Sequence, residues 1–126
     1  MTGYKATITR STKELDAKQK IMMKDTTNTV SLDTATQGSD GVIINVDFAV
    51  VLDVHNEKSD NKDYTKYIIV DKNGERYITG SESFWSAFEN IYDELADAGI
   101  EDYQIKAYRL PSKNYQGRDF LTCALI

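Results

Sequence analysis

The chain has one cysteine, one proline, one histidine and one tryptophan among its 126 residues. A single cysteine, Cys123, excludes an intrachain disulfide framework and a thiolate zinc cluster. A single histidine, His55, leaves little for a nucleophilic triad, which needs a base, a nucleophile and an orienting acid held together. No Gly-x-Ser-x-Gly or Cys–His arrangement is present, and the seven glycines form no phosphate-cradling loop. The longest nearly apolar stretch, residues 41–52, is broken by Asn45 and Asp47. A membrane-spanning helix needs about 20 apolar residues, so no membrane role is expected. The start, MTGYKATITR, lacks an apolar run after its first charges, so no secretory leader is expected and the setting is read as cytoplasmic.

What the chain does have is tyrosine, eight of them, and an uneven charge. The net charge is −5, which at first argues against a polyanionic partner. Residues 1–24 carry six bases against two acids, and residues 82–102 carry seven acids with no base. Residues 103–126 return to four bases against one acid. Acidity concentrated in one element between two basic ends points either to a polyanion partner or to charges that only keep the domain soluble.

Periodicity places the elements. Residues 4–9 are a short polar strand, and Ser11 with Glu14 has capping-box spacing for a basic helix over about 12–23. Residues 25–41 read as loop with an edge strand near 29–32. From Val42 to Val54 every second residue is apolar, the mark of a long half-buried strand. Residues 64–71 and 75–79 form a hairpin around Asn73-Gly74; a two-residue turn there pairs Val70 with Tyr77 and Ile68 with Thr79. Residues 82–98 are a helix with an aromatic stripe (Phe84, Trp85, Phe88, Tyr92), an acidic back turned to water, and Gly99 at its end. Strands over 104–110 and 119–126 follow.

This gives a mainly β fold with one helix between the third and fourth of five strands. That is the element order of the OB-fold, a five-stranded Greek-key barrel; an open α+β sheet is the rival. Residues 1–40 are expected as a basic N-terminal extension packed on or flanking the barrel of residues 41–126. Cys123, alternating with Leu121 and Leu125, is read as a buried inert thiol. The helix carboxylates Asp93 and Asp97 and the loop cluster around His55 are read as solvated surface, without a metal, a cofactor or catalytic work.

The remaining constellation is aromatic and basic. In the two-residue-turn register, Tyr64, Lys66, Ile68, Val70, Tyr77 and Thr79 share one sheet face, assigned outward; Tyr67, Ile69, Arg76 and Ile78 share the other. Lys106 and Tyr108 share a face of the fourth strand. The loop after Pro111 adds Lys113, Asn114, Tyr115 and Arg118. Rings interleaved with bases suit single-strand binding, because every base has a π-face and a cationic groove tracks the phosphates.

The runs YITGSESF (77–84) and KNYQGRDFLTCAL (113–125), with the start of the chain through Lys24-Asp25-Thr26-Thr27-Asn28, resemble the small single-stranded DNA-binding proteins of phages of Gram-positive bacteria. The resemblance implies a non-enzymatic OB-type protein, a monomer or small homo-oligomer, coating single-stranded DNA in replication or recombination beside proteins of those processes. It implies contacts at Tyr64, Tyr77, Lys113, Tyr115 and Arg118. Two departures stand out. The chain ends in an apolar strand where many such proteins end in an acidic recruiting tail, and its overall acidity opposes DNA affinity. The rival readings are a protein-interaction module, including a DNA mimic built on the acidic helix, and a small nuclease using the helix carboxylates.

Overall fold

The computed structural model describes residues 4–58, 62–111 and 119–126. In chain order the elements are β1 (Tyr4–Ser11), α1 (Ala17–Lys24), β2 (Val30–Ser31), α2 (Leu32–Ala35), β3 (Val42–Asn56), β4 (Asp63–Asp71), β5 (Arg76–Thr79), α3 (Glu82–Asp97), β6 (Gln104–Pro111) and β7 (Asp119–Leu125). Among the described residues, seven strands share one curled half-barrel sheet in the order β2-β5-β4-β3-β6-β7, with β1 paired to β3. The expected five strands are β3 to β7, with α3 between the third and fourth of them, and β1 and β2 bring the sheet to seven. β2 pairs in parallel with the free edge of β5, Val30 opposite Tyr77 and Ser31 opposite Ile78. That occupies the edge on which β7 would close a barrel, and among the described residues β7 pairs only with β6.

The long strand β3 organises the core through a bulge. Its register against β4 shifts between Val46 and Phe48, and an extra residue turns the alternation over. Ile44 and Val46 therefore face one hydrophobic cluster together with Ala49 and Val51, while Phe48, Val50, Leu52 and Val54 face the other. The first cluster draws on β4, β6, β7, α2 and the Phe84–Trp85–Phe88 stripe of α3, so it lies inside the curl of the sheet. The second lies on the outer, convex side beneath Ala6, Leu15 and Met23. One long alternating strand thus serves two cores.

Three local expectations change. The basic helix starts at Ala17, capped by Asp16, whose carboxylate accepts from Gln19 N at 2.8 Å while Gln19 Oε1 accepts from Asp16 N at 3.1 Å. It cannot start at Ser11, because Ser11 still pairs with Val50 and Thr12 N donates to Ala49 O at 2.9 Å. The 25–41 segment carries α2 after its edge strand. The hairpin register is one residue off the two-residue-turn expectation: Val70 faces Arg76, Ile69 faces Tyr77 and Ile68 faces Ile78. The Asp71 carboxylate accepts from Asn73 N and Glu75 N at 2.8 and 3.0 Å. This side-chain turn holds a three-residue loop in which only Gly74 takes a positive φ, 87°.

Arg109, one of the C-terminal bases, is a structural tie. Its guanidinium donates to Thr36 Oγ1 at 3.1 Å and to Asp33 O at 2.6 Å, and pairs with Asp119 at 2.9 Å. The Thr79 hydroxyl donates to the Asp33 carboxylate at 2.9 Å. These bonds satisfy the two buried threonines and pin α2 between β5 and β6.

Candidate nucleic-acid interface

Strand alternation divides β6 and β7 cleanly. Ile105, Ala107, Leu121 and Cys123 point into the inner cluster. Lys106, Tyr108 and Leu110 point outward beside Ala124, Thr122 and Phe120, their directly paired neighbours on β7. Ile43 of β3 pairs with Lys106 from the other side. This convex face stays open: Ile43 is 60% exposed, Leu110 40% and Phe120 39%. Tyr108 and Phe120 are diagonal neighbours across the two strands, within reach of one another's rings. Lys106 makes no ion pair among the described residues. Gly41 permits the arrangement: with φ of 124°, a Cβ there would stand 2.7 Å from Lys106 Cε and 2.8 Å from Ala107 O.

The other expected residues fall in three places. Tyr64 and Lys66 lie on the convex side of β4, with the Lys66 ammonium 5.8 Å from the centre of the Tyr64 ring, inside cation–π range. Ile68 and Val70 share that side, but they are buried in the second cluster and form no open surface. Tyr77 lies across the sheet from them, because the one-residue register change moves it and Thr79 to the side of Tyr67 and Ile69. There it packs half-buried on the inner cluster, and burial raises its phenol above the ordinary value. Lys113, Asn114, Tyr115 and Arg118 lie outside the described residues. Their connection leaves after Pro111 and returns at Asp119, which pair at the Leu110–Phe120 end of the open face.

The acids lie elsewhere. α3 packs inside the curl, on the side of the sheet opposite Lys106 and Tyr108. Its acidic back, expected to face only water, is partly engaged. Arg10 pairs with Glu89 and, at 3.4 Å, with Asp93. The Tyr92 hydroxyl donates to Thr12 O at 3.2 Å.

His55 sits between two carboxylates, its Nδ1 2.7 Å from Asp63 and its Nε2 2.6 Å from Glu57. The Asp63 hydrogen bond, then the Glu57 one, hold the ring protonated above its ordinary pKa. A raised folded-state pKa stabilises the fold fully below the unfolded value, and that contribution is lost as pH rises through the folded value. The His55 ring resonances are expected to titrate with a midpoint above about 6.5. Asp63→Asn should lower that midpoint; a wild-type midpoint at or below the ordinary value would contradict the pairing. Cys123 is buried, its thiol 3.9 Å from Phe84 O and pushed up to about 12 by desolvation.

The model of the family described as Phage Single-stranded DNA-binding protein matches residues 2–126. The chain belongs to this family. It is a single-stranded DNA-binding protein of a phage. No curated protein and no solved structure matches it. For a phage single-stranded DNA-binding protein, the β6–β7 face carries what base stacking needs: an exposed ring, Phe120, and a half-buried one, Tyr108, beside a half-buried cation. Phe120, Leu110 and Ile43 belong to that face although the sequence reading did not single them out. The signal was present for Phe120, since it alternates with Leu121 and Cys123, and burying those two turns Phe120 outward.

Proposed function

We propose that the protein coats single-stranded DNA without sequence preference in phage DNA replication or recombination, in the host cytoplasm, as a monomer or small homo-oligomer. The observation that carries this reading is the open face of β6 and β7, with exposed Phe120 and half-buried Tyr108 beside Lys106, which makes no ion pair among the described residues. Bases stack on the two rings, each stack worth roughly 1–3 kcal/mol. Phosphates are taken by Lys106, Lys113 and Arg118, and Asn114 and Tyr115 add further contacts to the strand. Tyr64, half-buried against the second cluster but holding the Lys66 ammonium over its ring, offers a second, partly covered stacking station. Tyr77 is assigned to the fold, since its ring packs on the inner cluster. The pairing order β5-β4-β3-β6-β7 supports reading residues 41–126 as an OB-type barrel left open by β2, with residues 1–40 as its packed flank. The engagement of Glu89 and Asp93 by Arg10 counts against a DNA-mimicking role for α3.

Titration of a fluorescent oligonucleotide at about 50 and about 200 mM salt tests this reading. The logarithm of affinity should fall by about 0.7 per phosphate neutralised for each tenfold rise in salt. Matched duplex should fail to compete. Salt-independent binding, or equal competition by duplex, would overturn it.

A further inference from the structure

We infer that α1 is a second phosphate-binding surface for single-stranded DNA, extending the strand's path beyond the β6–β7 face; the inference rests on the DNA-coating function proposed above. The helix is firmly seated. Met23 is buried in the outer cluster, and Arg76 of β5 donates to the carbonyls of Met22 and Asp25 at the helix C-terminus. Its N-terminus is fixed by the Asp16–Gln19 box.

What this anchored helix shows to solvent is basic and apolar. At about 100° per residue, the direction opposite Met23 is centred on Ile21, with Lys18 about 60° to one side and Lys24 about 60° to the other, while Lys20 lies about 60° from Met23. Ile21 is 68% exposed and Met22 56%. All three lysines are exposed, and none makes an ion pair among the described residues. The nearest acids in sequence, Asp16 and Asp25, accept local hydrogen bonds from Gln19 N and from Thr27 and make no ion pair with these lysines. The chain is acidic overall, yet Lys18 and Lys24 flank the uncovered Ile21, with Lys20 exposed beside the seated face. Cations flanking an apolar surface match a phosphate backbone with an unstacked base between its charges.

The position also fits a continuous path. Arg76 pairs with Val70, so α1 caps the Val70 end of β4, while Tyr64 and Lys66 stand at the other end of that strand on the same convex side. Six residues of strand separate the two ends, about 20 Å.

The test is the salt dependence of oligonucleotide binding by the full chain carrying Lys18→Gln, Lys20→Gln and Lys24→Gln. Glutamine is nearly as good a helix former as lysine, and Met23 and the cap are untouched. The inference expects the slope of log affinity against log salt to become shallower by about 2, with affinity near 50 mM salt falling about 100-fold. Lys18→Arg, Lys20→Arg and Lys24→Arg together should keep the wild-type slope. As a control for net charge, Lys62→Gln with Lys72→Gln should leave the slope unchanged. An unchanged slope in the triple glutamine variant overturns the inference alone, as does an equal drop per charge in the control or loss of binding in the arginine variant. Absence of binding by the wild-type protein overturns the proposed function with it.

Discussion

Alanine at both Tyr108 and Phe120 weakens single-stranded DNA binding by about 30- to 20,000-fold, which corresponds to roughly 2–6 kcal/mol of lost stacking. Neither ring belongs to a core cluster. Both stand on the open side of β6 and β7, while Ile105, Ala107, Leu121 and Cys123 hold the strands from within. The melting temperature should therefore change little, as for surface substitutions in general. The slope of affinity against salt should also be unchanged, because no cation is removed. The same fluorescence titration, with a thermal melt of each variant, reads all three quantities. Wild-type affinity in the double variant would remove the β6–β7 face from the binding account.

Phe88→Ala should have the opposite profile, a large loss of stability with DNA binding reduced only through the unfolded fraction. Phe88 is fully buried at the centre of the inner cluster. Its ring centre lies 5.3 Å from that of Trp85, 6.3 Å from that of Tyr92 and 6.5 Å from that of Phe84. Truncating a buried phenylalanine costs about 3–5 kcal/mol in transfer and cavity terms. Domains are stable by only about 5–15 kcal/mol. A fall of about 10–20 °C in melting temperature follows for a chain of this size. A change of less than a few degrees would mean that α3 does not form the core described. The stripe also anchors the binding face from behind. Ser83 Oγ, at the start of α3, donates to Leu121 O at 2.7 Å, fixing β7 one residue from Phe120.

The elements with unbroken periodicity were legible in the sequence. α3 was readable from its aromatic stripe and from the glycine after its end; in the structure Ser81 caps it, accepting from Phe84 N at 3.2 Å. β4, β6 and β7 were readable from alternation. The rest depended on single side chains or on distant pairing. The bulge at Val46–Phe48 leaves the apolar alternation intact in the sequence while turning it between two cores in space. The Asp71 carboxylate chose a three-residue turn where Asn-Gly suggested two, and that one residue moved Tyr77 to the other side of the sheet. β2 is two residues long and bonds in parallel to a strand 46 positions later, which no local pattern announces. For the interface, Lys106 and Tyr108 were legible because they alternate with buried Ile105 and Ala107. The exposure of Ile43 was not, because it depends on what covers the convex side rather than on the strand itself.

The most direct test of the central claim is a map of backbone amide shifts in the labelled protein on adding a short oligothymidylate. Bases stacked on Tyr108 and Phe120 should shift the amides of residues 104–110 and 119–124, together with that of Ile43. The acidic back of α3 should stay unperturbed. Shifts confined to α3, with the β6–β7 strands silent, would contradict the account and put the DNA on the other side of the sheet.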